Sequence, residues 1–324
     1  MITVITITCR EEGRLVEMAK TLAGNALQSK DVKLQWVIVD EKKTDPRSKA
    51  ILDAVGGALE VKHLSAPSSE HRQNGLPDHN LMRNTGLAEA DGGYVVFLND
   101  CHLVASGWLK AVADAAELGK GIRAKLQSVN DLVVPDDGLL WKLSHWDTWT
   151  KVAPKNASGA CWGAPKAAFD EIGGFDLAYG GQDKYHDVDA CIRLGRVGVD
   201  FVTSARAFVV CLRATRDHAS VTRSKEAQRG QRNKQLYNKL CLDRTRTKPT
   251  QPYAAPIVAT PPGVPTTTTE APPAAAQPAP APAEVAPPVP AAPDTGDDQG
   301  ERQAAPPRLG FVGASKISGA NKKA

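Results

Sequence analysis

Asp100 and His102 stand two residues apart at the end of the apolar run Tyr94-Val-Val-Phe-Leu98, which follows the turn signal Asp91-Gly92-Gly93. β-Branched and aromatic residues after a glycine turn predict a buried strand whose carboxyl end delivers Asn99, Asp100, Cys101 and His102. On an extended chain, residues i and i+2 project to one side, so a carboxylate and an imidazole at this spacing can share a divalent cation. The alternative is a strand with an ordinary polar turn, because Asp-x-His is a short motif. A second chemical cluster lies between Gly180 and Arg193 and contains Asp183, His186, Asp187 and Asp189. A helix beginning near His186 brings Asp187 and Asp189 to its positive end, where carboxylates stay ionised at neutral pH and can face a cleft. Acids there can instead cap the helix's own amides. Asp183 is a rival for the same role, since neighbouring glycines permit close backbone approach to a ligand.

Positioning these groups requires a sheet, and the sequence predicts one. Ile2–Thr8 is a β-branched run followed by a helix with apolar positions at Leu15, Met18, Leu22 and Ala26. Leu34–Val39 reads as a second buried strand ending at Asp40. Asp45-Pro46 then reads as an N-cap with proline at the first helical position, opening a helix that stops at Gly56-Gly57. Leu59–Leu64 is a third strand, the long polar loop from Ser65 to Asp78 invites a functional role, and a helix from about His79 to Ala90 leads to the central strand. Strand alternates with helix, and ligands in such folds sit outside the carboxyl ends of the strands. No G-x-G-x-x-G or G-x-x-x-x-G-K-[ST] follows the first strand, which counts against a dinucleotide dehydrogenase and a P-loop NTPase. Further on, Ile122–Val134 reads as a hairpin around Asn130-Asp131, and Trp141, His145, Trp146 and Trp149 cluster in an irregular stretch. Short strands are predicted over Val199–Thr203 and Ala207–Leu212, followed by a basic helical pattern over Thr222–Arg246.

From about Thr245 the composition shifts to Pro, Ala and Thr, with most of the chain's 23 prolines. Such a segment buries too little apolar surface to offset its ordering entropy. The expected organisation is a body over residues 1–244 and a disordered tail over 245–324. Six scattered cysteines without a CxxC pair predict reduced thiols and a cytoplasmic setting. No apolar run reaches the length of a membrane span. The net charge of +4 argues neither way on polyanions, and no nucleic-acid partner is expected.

The order of these landmarks carries a resemblance: Thr-Cys-Arg-Glu-Glu after the first strand, Val-Ile-Val-Asp ending at Asp40, Arg83-Asn84-Thr85-Gly86, the central strand with Gly107-Trp108-Leu109, then Gly173-Gly174-Phe175-Asp176 and the acidic cluster. Together they resemble GT-A glycosyltransferases, family 2 in particular. The resemblance implies an α/β GT-A fold with a Rossmann-like mixed sheet. It also implies transfer of a hexosyl or N-acetylhexosaminyl group from a nucleotide-diphosphate sugar to a glycan, protein or small-molecule hydroxyl. Asn99 and Cys101 stand where family 2 has the two aspartates of Asp-x-Asp. A shift of one residue gives Asp100-Cys101-His102, similar to the Asp-x-His of polypeptide N-acetylgalactosaminyltransferases. By resemblance Asp100, His102 and the later His218 would hold Mn2+ or Mg2+. Thr8, Arg10, Glu12, Asp40, Arg83 and Asn99 would bind the nucleotide-sugar. The acidic cluster is similar to a Glu-Asp-x-Asp-Leu-x-x-Arg box, with His186 in the Glu position, which makes Asp187 the implied base and displacement with inversion the implied mechanism, whereas the Asp-x-His resemblance points instead to retaining enzymes. A non-catalytic sugar-nucleotide or glycan-binding module on the same fold is the alternative. A nucleotidyltransferase ranks below it, because the glycine-rich loop after the first strand is missing.

Overall fold

A computed structural model of the protein describes residues 1–10, 14–69, 78–129, 133–140, 149–180, 185–212, 231–240 and 242–253. Strands β1 (Ile2–Thr8), β2 (Leu34–Asp40), β3 (Glu60–Ser65) and β4 (Tyr94–Leu98) run parallel in the order β3-β2-β1-β4. Helices α1 (Leu15–Gln28), α2 (Asp45–Val55) and α3 (His79–Ala88) lie between them in sequence. The sheet continues through the antiparallel β9 (Cys161–Pro165) to β6 (Gly121–Arg123), β10 (Phe201–Thr203) and β8 (Thr150–Val152), giving eight strands.

The central strands β2 and β4 are buried along their whole length, because helices cover both faces of the sheet there, and they are mostly apolar rather than alternating with polar residues. Alternate residues serve the two layers. Val4, Trp36, Ile38, Val96 and Leu98 pack with α1, α2 and α4 (Trp108–Glu117), while Ile5, Val37, Val39, Val95 and Phe97 pack with α3, α5 (Lys166–Ile172) and α6 (His186–Arg196). Helix α2 starts one residue earlier in its capping than expected: Thr44 is the cap and accepts from the Arg47 amide at 3.4 Å, and Asp45 is already helical. Its stop at Gly56 is as predicted, with a left-handed φ of 58°.

Gly163 of β9 faces Val96 of β4, and a Cβ there would lie 2.3 Å from the Val95 carbonyl oxygen. Backbone cannot yield as a flexible side chain would. Gly163→Ala is therefore expected to destabilise the fold by about 1–3 kcal/mol, read as a lower denaturation midpoint at unchanged m-value.

One expectation fails here. The turn of the hairpin predicted over Ile122–Val134, at Asn130-Asp131, lies outside the described residues, and among these the strands pair elsewhere: β6 belongs to the main sheet, whereas β7 (Lys125–Val129) pairs in parallel with β11 (Phe208–Leu212) in a second sheet ordered β5-β11-β7, where β5 is His102–Val104. The partner of β7 lies some eighty residues away in sequence, far beyond the few residues over which a hairpin turn signal acts. Described residues after 244 pack on the body. Arg246 pairs with Asp176 and Asp189, the Thr250 amide donates to Asp176 at 2.7 Å, and Leu177 donates to the Gln251 carbonyl at 3.0 Å. Asp176 and Asp189 are almost wholly buried and need this countercharge. Of the tail, residues 254–324 lie outside the described residues, as do Trp141, His145 and Trp146. Among the described residues no helix is long and apolar enough to cross a membrane.

Candidate active site

The strand order reverses direction between β1 and β4, so their carboxyl ends flank the crevice where such sheets bind ligands. Thr8 ends β1 and Asp100 follows β4, and the Thr8 hydroxyl donates to Asp100 Oδ2 at 2.8 Å across that crevice. The Arg10 guanidinium lies 3.5 Å from the same oxygen and is more than a third exposed. Asp100 Oδ1 has no protein partner among the described residues, which leaves it for a ligand.

Asp40 ends β2 opposite Thr8 and is completely buried. Its Oδ2 accepts from Arg47 Nε at 2.9 Å and lies 3.1 Å from His63 Nε2, while Arg47 Nη1 reaches the Arg10 carbonyl at 2.8 Å. Asp40 thus presents no surface to a nucleoside; it holds Arg47, which holds the loop carrying Arg10. Arg47 was not legible as a site residue, since in sequence it is one of several basic residues at a helix start.

The second wall comes from α3 and α6. Asp187 lies in the first turn of α6, with Oδ1 2.6 Å from His186 Nε2 and Oδ2 3.7 Å from Arg83 Nη2. Burial pushes its carboxyl up, but the charges of His186 and Arg83 and a hydrogen bond from His186 outweigh that, holding Asp187 well below the usual carboxylate range. Arg83 is buried, sits over the Phe175 ring at 5.2 Å and leaves Nη1 without a hydrogen bond; burial lowers its pKa. His79, the first residue of α3, meets His186 edge-on at 6.4 Å. Burial pushes His79 down to about 3 and His102 down to about 4, and the Arg10 charge acts in that direction on both.

Asp189 is a correction. It accepts from Arg193 Nε at 2.9 Å and Arg246 Nη1 at 2.6 Å, and its side chain is 3% exposed. It stands one helical turn before Arg193, on the face turned to the core, where it anchors Arg193 and Arg246.

The cation site also differs from expectation. Asn99 accepts from the His102 amide at 3.1 Å, which closes a tight turn and removes the extended geometry that would put Asp100 and His102 on one side. His102 is buried, with Nδ1 3.4 Å from Cys101 Sγ. Asp100 by itself fits a hard cation that takes one or two carboxylate oxygens and completes its shell with substrate phosphates and water. Asn99 lies in this turn, its amide bonded to the Ala160 carbonyl at 3.1 Å. Glu12, Asp183 and His218 lie outside the described residues.

No protein-family profile matches the chain, and no curated protein matches it by sequence. Among solved structures, S. aureus TarS in complex with UDP-GlcNAc superposes with a TM-score of 0.50 at 17% identity, over 75% of this chain and 72% of that one. The mannosyltransferase PcManGT from Pyrobaculum calidifontis, in complex with GDP-Man and Mn2+, gives a TM-score of 0.49 at 17% identity, over 75% of this chain and 64% of that one. With the mixed sheet and its strand order, the likeness to TarS shows the fold to be that of the GT-A glycosyltransferases.

Proposed function

We propose that this GT-A protein transfers a hexosyl or N-acetylhexosaminyl group from a nucleoside-diphosphate sugar to a hydroxyl acceptor by direct displacement with inversion. The observation that carries the reading is the meeting of Thr8, Arg10 and Asp100 over the ends of β1 and β4. A guanidinium and a carboxylate there suit a diphosphate and its counter-cation, and the site lies at the switch point of the sheet. Asp100 would hold Mn2+ or Mg2+, whose bound charge stabilises the departing diphosphate. Arg10 binds phosphate oxygen, and Asp40 acts through Arg47 by fixing the loop on which Arg10 stands. Asp187 takes the proton of the acceptor hydroxyl as its oxygen attacks the anomeric carbon. His186, bonded to it, sets how strong a base it is.

A second reading is favoured by the pairing of Asp187 itself: a carboxylate held by His186 at 2.6 Å and by Arg83 at 3.7 Å is a weaker base than a free one, which suits a module that binds a donor without turnover. Detectable product separates the two.

The test is thermal denaturation against a panel of nucleotide-sugars headed by UDP-GlcNAc and GDP-Man, with and without Mn2+. A donor present at about 100 times its Kd stabilises by roughly 2.7 kcal/mol. The expected result is a shift that needs both donor and cation, and loss of the cation-dependent part in Asp100→Ala. An undiminished shift in excess chelator would remove the cation from Asp100, and no shift with any donor would remove the function.

A further inference from the structure

We propose that Cys101, His102 and Cys211 form a Cys2His site for a thiophilic divalent cation of the zinc type, separate from the hard cation at Asp100 and with its fourth position open. The three residues come together because the turn after β4 places Cys101 beside His102, and β11 pairs with β5 so that Cys211 lies directly across from His102. One ligand atom from each lies within 4.8 Å of the others. A tetrahedral centre with Zn–S of about 2.3 Å and Zn–N of about 2.0–2.1 Å separates two sulfurs by roughly 3.8 Å and a sulfur from a nitrogen by roughly 3.5 Å. The observed Cys101 Sγ to Cys211 Sγ distance is 3.8 Å, and Cys101 Sγ to His102 Nδ1 is 3.4 Å.

The donor set decides the class of ion. Two sulfurs and an imidazole suit zinc and other soft or borderline cations, whereas magnesium and manganese take oxygen. Three protein ligands are one short of a closed structural site, so water or an incoming ligand completes the shell. Cys101 and Cys211 are half-buried and His102 is buried, which leaves a way in while the imidazole stays fixed. On binding, both thiols become thiolates and two protons pass to the buffer, while the imidazole donates a lone pair.

The test uses the full chain, metal-free and reduced, with all six cysteines first titrated as thiols. Cobalt(II) is the probe. The expected result is a thiolate-to-cobalt charge-transfer band that saturates at one equivalent, ligand-field bands of tetrahedral intensity, and loss of both on adding zinc. Cys101→Ser and Cys211→Ser should each weaken zinc binding by more than about 100-fold, beyond what loss of an outer-shell partner produces. The doubly substituted chain should give no band. In the unaltered protein, zinc should slow alkylation of Cys101 and Cys211, located by peptide mass, and spare the rate at Cys9; this measurement stands even if the serine variants do not fold. Absence of the band with six intact thiols, its survival in the doubly substituted chain, or equal alkylation with and without zinc would overturn the proposal. A disulfide joining Cys101 to Cys211 that persists in reductant would overturn it as well.

Discussion

Asp187→Asn lowers the rate of sugar transfer by about 10²–10⁴ while the donor still binds, because asparagine keeps the shape of the side chain and removes the basic lone pair. The same change leaves Arg83 buried without its countercharge, and breaking a buried pair of this kind costs about 3 kcal/mol. Turnover must accordingly be measured well below the variant's unfolding temperature, with donor binding followed in parallel. The pH dependence has a definite sign. Asp187 has a folded pKa below its unfolded one, so its contribution to stability is complete above the unfolded value, about pH 4, and is lost as pH falls through the folded value. The wild-type protein should therefore lose stability in acid below about pH 4 by an increment that the Asn variant lacks. Full turnover in the folded Asn variant would reject Asp187 as the base. A larger loss in Asp183→Asn would move the role there.

Ending the chain after residue 244 destabilises the body by about 3–5 kcal/mol relative to ending it after residue 253. The shorter chain loses Arg246, which bridges Asp176 and Asp189, and with it the amides of Thr250 and Gln251 that donate to Asp176. Burial pushes Asp176 up, yet the Thr250, Ala178 and Gln251 donors hold it below its usual range. Of the two acids only Asp189 then keeps an ion pair among the described residues, with Arg193, inside a cluster that carries one net negative charge more. Paired urea titrations of the two truncated chains measure the difference. Equal midpoints would mean that the strap contributes nothing.

The parallel strands and their helices were legible because each announces itself locally: β2 carries the apolar run Trp36 to Val39, and Gly56 stops α2 with a conformation that glycine adopts freely. What depended on partners far off in sequence was not. The exposed, mostly polar β7 reads as half of a local hairpin, and only β11, supplied much later, shows otherwise. At the site, the i, i+2 rule at Asp100 and His102 presumed an extended chain, and one backbone hydrogen bond from His102 to Asn99 cancels it. Asp187 and Asp189 look alike in sequence at the start of one helix. Helical rotation turns one toward Arg83 and the cleft and the other toward Arg193 and the interior. The role of Arg246 had no signal, because its value comes entirely from two buried acids that precede it.

The strap that carries Arg246 also sets a schedule for the chain as it is made. Asp189 is followed 57 residues later by the guanidinium that neutralises it. At about 5–20 residues per second, a ribosome takes roughly 3 to 11 s to add that stretch. Through that interval β1 to β4 are already available to assemble, but the acids beneath α6 have only Arg193 between them. The emerging protein thus passes through a stage in which its amino-terminal half can pack while its acidic interior stays incompletely matched, and the last residues of the body to be synthesised are the ones that close it.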